Sequence, residues 1–239
     1  MDSHQRIVIA LDVGDIGAAE ALVTQLQPVV GMFKIGKQLF TAAGPAAVDM
    51  VRSHGADVFL DLKWHDIPNT VAAACSAAAQ LGVRMVNVHA SGGREMLSAA
   101  RAALDRHPGA ERPELLAVTV LTSLAASDLA EVGVADPPAN QVLRLAALSL
   151  AAGADGLVCS PQEVADLRAA HGPEPTLVVP GVRPEWSAAN DQRRAATPAV
   201  ALGDGADYLV IGRPITRSGD PVAAARRVAA ELQPVGRSA

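Results

Sequence analysis

Eight short runs of apolar, mostly β-branched residues punctuate this chain at intervals of roughly 20 to 40 residues, and many end on a polar or charged residue. They occupy residues 6–12 (RIVIALD), 32–37 (MFKIGK), 57–63 (DVFLDLK), 84–89 (RMVNVH), 115–122 (LLAVTVLT), 156–160 (GLVCS), 176–181 (TLVVPG) and 208–213 (YLVIGR). Each is too short for a helix and is bounded by turn formers, so each predicts a buried strand. Between them, Ala- and Leu-rich stretches such as 16–27, 70–81, 94–106, 141–151 and 161–170 carry helical spacing. Strand alternating with helix predicts right-handed βα units and a parallel sheet. Eight such units within 239 residues fit a single-domain (β/α)8 TIM barrel, taken as residues 1–239, better than a doubly wound sheet. No Gly-x-Gly-x-x-Gly follows the first run and no Gly-Lys-Ser/Thr loop occurs, which weakens the nucleotide-fold alternatives.

Composition narrows the function classes. Aromatics are only 3% of a chain that is 50% hydrophobic, so the core is built from small and branched aliphatics. Net charge is −5 and the cations stand singly or in pairs, so no basic stripe marks a nucleic-acid binder. No apolar run reaches the roughly 18 residues of a membrane span, and the N-terminal MDSHQRIVIALD enters a strand without a signal-peptide apolar region. A cytoplasmic location is the default expectation. Cys75 and Cys159 are expected to be small buried hydrophobes in a reducing compartment, since neither has metal or catalytic spacing.

In an eight-stranded barrel the active site forms at the C-terminal ends of the strands. Those ends carry Asp12, Lys34, Asp61 with Lys63, His89, Thr122, Pro180-Gly181 and Gly212-Arg213. Along the third strand, residues two apart share a face, so Asp61 and Lys63 project together while Leu62 packs away. Lys34 ends the neighbouring strand and reaches the same spot. The bland alternative is a salt-bridge network that stabilises the barrel mouth. Buried ion pairs are poor stabilisers, which favours chemistry. Spacing alone stops there, at a phosphate-binding barrel with a Lys/Asp cluster.

A resemblance goes further. FLDLKWHDIPNT, residues 59–70, resembles the signature of the orotidine 5′-phosphate decarboxylases, an Asp-x-Lys-x-x-Asp core followed by Ile-Pro-x-Thr. The similarity continues through IVIALD, FKIGKQLFTAAGP, VNVHASGG, AVTVLTS, VVPGVRP, DQRR and DYLVIGRPIT, in that family's order and spacing. It implies conversion of orotidine 5′-phosphate to UMP and carbon dioxide without cofactor or metal. Lys63 would protonate C6 of the pyrimidine, Asp61 would face the substrate carboxylate, and Lys34 and Asp66 would hold the array in register. Asp66, Ile67 and Thr70 would enter the site of a second subunit, making the enzyme a homodimer with shared sites. Asp12 would accept a ribose hydroxyl, and Thr122 would hydrogen-bond the pyrimidine edge. Pro180 would line the site. Arg183 and Gln192, in the loop RPEWSAANDQRR, would close over the phosphate. Gly212 and Arg213, at the start of a short helix, would present backbone N–H groups to it.

Several residues receive plainer readings. His65 has no role left to fill, and His89 is expected behind the charged cluster. His4, His54, His107 and His171 show no ligand spacing, while Trp64 and Trp186 are expected to pack or cover. Arg193 and Arg194 are expected to be solvated. Two rivals remain: a Mg²⁺-dependent sugar-phosphate enzyme on a similar barrel, such as a hexulose-phosphate synthase, and an inactive barrel that merely binds pyrimidine nucleotides.

Overall fold

The computed structural model describes residues 1–107, 112–187 and 196–232. Its eight strands are β1 (Ile7–Ala10), β2 (Met32–Gly36), β3 (Asp57–Trp64), β4 (Met85–His89), β5 (Glu114–Val118), β6 (Gly156–Val158), β7 (Thr176–Pro180) and β8 (Tyr208–Ile211). All pair in parallel in chain order and β8 closes on β1, which makes the barrel expected from the runs. The expected helical windows appear as α1 (Ile16–Leu26), α4 (Pro68–Gln80), α5 (Gly93–Leu104), α7 (Pro138–Ala151) and α8 (Val164–His171). Further helices are α2 (Lys37–Ala43), α3 (Ala46–Ser53), α6 (Ala126–Glu131), α9 (Pro198–Gly203), α10 (Arg213–Thr216) and α11 (Pro221–Glu231). Gly44, at φ 61°, and Pro45 split residues 37–53 into two short helices, which blurred their periodicity.

The strands read as continuous apolar runs because both of their faces are covered. One set of alternate side chains fills the barrel interior: Val8, Ala10, Met32, Phe59, Met85, Leu116, Val118, Val158, Val178, Tyr208 and Val210. The other set, including Ile7, Ile9, Phe33, Ile35, Leu60 and Val88, packs outward against the helices. Alanines such as Ala19, Ala47, Ala78, Ala100 and Ala225 supply the inner helix faces, so the helices sit close to the sheet with little side-chain entropy lost. Each large aliphatic buried here contributes about 1.5–3 kcal/mol. Pro68, Pro138, Pro198 and Pro221 begin their helices, where a missing N–H costs nothing, and the Asp15 and Asp220 side chains cap α1 and α11.

The two ends of the barrel differ in kind. At the N-terminal end, acids just before the strands tie neighbouring elements together. Asp155 accepts from Arg101 at 2.6 Å, Arg112 at 3.0 Å and the Leu115 N–H at 2.8 Å. Asp207 accepts from Arg168 at 2.6 Å and the Leu177 N–H at 2.8 Å. At the C-terminal end the charged groups point at one another across a cleft. No helix among the described residues is long and apolar enough to cross a membrane.

Candidate active site

Three strands deliver the charges at the C-terminal mouth. Lys34, on the inner face of β2, follows Met32 in the period of two, and Asp61 follows Phe59 on β3. The Lys34 Nζ lies 3.3 Å from Asp12 Oδ1, just past β1, and 3.2 Å from Asp61 Oδ2. The Lys63 Nζ lies 2.5 Å from the other oxygen of Asp61. Lys34 and Asp61 are each only 8% exposed, so the array carries alternating charge into low-dielectric surroundings. Burial disfavours the ammonium of Lys34, yet Asp61 and then Asp12 outweigh it and hold the lysine above its ordinary value. Burial likewise pushes the Asp61 carboxyl up, while Lys34 and Lys63 together pull it below the usual carboxylate range. Both groups therefore stay ionised at neutral pH. Each of the two buried members has two opposite charges beside it, so Lys34 or Asp61 keeps a partner when one neighbour is removed.

The expectation that Asp61 and Lys63 act together is met, but not through a regular strand. β3 and β4 pair Leu60 with Val86 and then Trp64 with Val88, so three β3 residues stand opposite Asn87 alone. Within this bulge Lys63 has φ 51°, the one non-glycine residue with positive φ among the described residues. That conformation costs about 1–2 kcal/mol for a side chain of this kind. Asn87, wholly buried in β4, bridges the irregularity. Its Nδ2 donates to Asp61 Oδ1 at 2.6 Å, and its Oδ1 accepts the Lys63 N–H at 2.7 Å. Sequence reading passed over Asn87. The signal was its place between Met85 and His89, a polar residue on the inward face of a buried strand. Leu62 packs outward as expected.

Beside the charges lies an apolar cleft lined by Phe59, Val118, Val120, Leu121, Val158 and Val210, with Thr122 and Pro180 where the sequence placed them. Cys159 also faces this cleft, a position its apolar context did not reveal. Cys75 and Cys159 are free and buried, and burial pushes the Cys75 thiol up to about 12. An apolar cleft with a few charged groups on one wall is the usual make-up of a small-molecule site. At the β8 end, a Cβ on Gly212 would stand 3.4 Å from Ala10 Cβ and 3.8 Å from Asp12 Oδ2, so this glycine adjoins the Asp12 corner. α10 starts directly after it at Arg213, the short helix expected there. The half-buried Arg183 is anchored by its N–H donating to the Ala196 carbonyl at 2.9 Å. Gln192, with Arg193 and Arg194, lies outside the described residues.

Asp66, Ile67 and Thr70 are not drawn into the cluster within one chain. β3 ends at Trp64 and the backbone turns outward, leaving all three exposed and Ile67 66% so. The Asp66 carboxylate accepts its neighbour Ile67's N–H at 2.7 Å, and no ion pair joins it to Lys63 among the described residues. The expected four-member network is therefore three-membered in a single chain, with Asp12 as the further acid. Trp64 packs on the core, and Trp186 donates to Glu231 at 2.8 Å beneath Arg227, so both tryptophans pack.

His89 ends β4, its ring 5.6 Å from that of His65. Burial first, then His65, Lys37 and Lys63, lowers its pKa from 6.5 to about 4, against a smaller opposing pull from Asp61. The folded protein thus binds fewer protons here than the unfolded chain between those two values, and stability present above pH 6.5 is lost as pH falls toward 4. Thermal melts across that window should show the loss, and His89→Gln should flatten the His89 part of it. An equally steep variant profile would assign the acid sensitivity to other groups.

The family profile described as Orotidine 5′-phosphate decarboxylase / HUMPS matches residues 5–228. An orotidine 5′-phosphate decarboxylase of Moorella thermoacetica is 55% identical over 98% of this chain and 95% of its own length. The enzyme of the same name from Chromobacterium violaceum is 56% identical over 93% of this chain and 89% of its own. Among solved structures, the orotidine 5′-phosphate decarboxylase of Lactobacillus acidophilus superposes with a TM-score of 0.84 at 37% identity, covering 95% of this chain and 98% of that one.

Proposed function

From its membership of the orotidine 5′-phosphate decarboxylase / HUMPS family, by which it converts orotidine 5′-phosphate to UMP and carbon dioxide, we propose that Lys63 is the residue that protonates the pyrimidine. The observation that carries the reading is the Lys34–Asp61–Lys63 array, its first two members buried, on the wall of the apolar cleft. Breaking the bond from C6 to the carboxylate leaves an electron pair on C6 while carbon dioxide departs. That pair has no conjugated sink, so stabilisation must come from a charge held close to it. The Lys63 ammonium supplies the charge and then the proton, leaving a neutral amine that solvent reprotonates.

Asp61 faces the substrate carboxylate in this reading, and repulsion between the two anions is relieved as carbon dioxide leaves. Lys34 prevents Asp61 from escaping that repulsion by taking up a proton. Asp12 takes a ribose hydroxyl, Thr122 the pyrimidine edge, and Pro180 the apolar wall. Arg183, Gln192 and the backbone at Gly212 and Arg213 hold the phosphate, where the N-terminal end of α10 favours an anion. Asp66, Ile67 and Thr70 complete the site of a second subunit, so the working unit is a homodimer, in the cytoplasm and without nucleic-acid or membrane partners.

Mixing the purified protein with orotidine 5′-phosphate and following the orotate absorbance tests the reading directly. The absorbance is expected to fall to that of UMP, and an unchanged spectrum refutes catalysis. The same assay in EDTA separates this chemistry from the Mg²⁺-dependent alternative. Asp61 is committed to two lysines and an amide, so the rate is expected to be unchanged, and abolition by EDTA would overturn the cofactor-free mechanism.

A further inference from the structure

We propose that Asn87 is a positioning residue for this reaction: its amide locks the Lys63 backbone in the left-handed conformation and ties it to the Asp61 carboxylate. The inference rests on the role given to Lys63 above. Asn87 is not among the residues that line the cleft, so it acts through its two partners and not on the ligand.

The chemistry of those partners leaves little choice of side chain. A carboxylate only accepts and a peptide N–H only donates, so the bridging group must offer one donor and one acceptor on a short, planar arm. An asparagine amide does this at every pH. The bulge makes the bridge necessary, because the residues opposite Asn87 outnumber it and the Lys63 N–H finds its acceptor in the Asn87 side chain. With the amide removed, a partly buried N–H loses its partner and a strained backbone loses its restraint. The ammonium of Lys63 then shifts relative to Asp61. A displacement on the order of 1 Å at a reacting group costs roughly 10²-fold in rate.

An introduced carboxyl provides a signature that a merely structural residue would not give. In Asn87→Asp the protonated acid has the donor and acceptor of the amide, whereas the ionised form sets a second anion against Asp61. The charged and titratable groups around it are Asp61 and Lys63 from β3, Lys34 from β2 through Asp61, and His89 along β4. The flanking β5 residues, Leu116 and Val118, are apolar. The kcat deficit of Asn87→Asp relative to the parent should therefore shrink as pH is lowered and grow as it is raised.

The experiment measures kcat and KM for orotidine 5′-phosphate between pH 5 and 8 for the parent, Asn87→Ala and Asn87→Asp, with UMP affinity measured in parallel. The expected result is a kcat lower by roughly 10²-fold in both variants at pH 8, with UMP affinity within about threefold of the parent. Only Asn87→Asp should recover toward acid pH. Should Asn87→Ala fail to fold, Asn87→Asp, of the same shape, carries the test alone. Variants as fast as the parent overturn the proposal. So does an Asn87→Asp deficit that is flat with pH. A parent that does not consume orotidine 5′-phosphate refutes the functional reading instead.

Discussion

Lys63→Ala is expected to lower kcat by at least about 10⁴-fold while UMP still binds, because in the proposed mechanism the one side chain supplies both the charge that stabilises the C6 carbanion and the proton that quenches it. Two functions lost at once distinguish this change from the removal of a binding contact, which would raise KM and spare kcat. Folding should survive, since Asp61 keeps Lys34 at 3.2 Å and the Asn87 amide at 2.6 Å as partners. Alanine also adopts the left-handed backbone at the same modest strain. Stopped assays with high enzyme concentration measure the residual rate, and calorimetry with UMP checks that the cleft is intact. Turnover near that of the parent would remove Lys63 from the reaction altogether. Loss of UMP binding in step with kcat would make it a structural residue.

The barrel was legible because parallel strands covered on both faces leave contiguous apolar runs, and all eight runs became strands. The charged cluster was legible from the ends of those runs, where Lys34 and Asp61 fall on the inward face. The route by which Lys63 reaches Asp61 was not. Nothing in DVFLDLKW announces a bulge: there is no glycine, and lysine has no preference for positive φ. The backbone there is set by Asn87, 24 residues away, so the cause is tertiary and a strand-period argument reaches the right contact by the wrong path. Cys159 escaped for a related reason. It follows apolar residues within the GLVCS run, and only closure of the barrel shows that this run borders the cleft. Asp66 marks a different limit, since its neighbours on one chain do not include the groups it is expected to serve.

Asp66 leads to the second large effect. Samples of Lys63→Ala and Asp66→Ala, each nearly inactive alone, should regain about a quarter of the parent's active sites when mixed in equal amounts and allowed to exchange subunits. Random exchange makes half of the dimers mixed. If Lys63 of one subunit works with Asp66 of the other, each mixed dimer holds one doubly defective site and one with neither defect. If each subunit builds its own site, every site in the mixture carries one defect and no activity returns. The geometry favours the shared arrangement. Asp66, Ile67 and Thr70 stand exposed at the mouth, just past β3 and at the start of α4, with a 66% exposed isoleucine beside an acid that pairs with no cation of its own chain among the described residues. An exposed apolar side chain beside a carboxylate whose hydrogen bond is to its neighbour's N–H is compatible with the shared site that the family resemblance implies. Activity after mixing, read against each variant alone and against a mixture kept from exchanging, decides between the two. A mixture that stays inactive despite proven exchange would place Asp66 outside the partner's site and leave the Lys34–Asp61–Lys63 array to work within one chain.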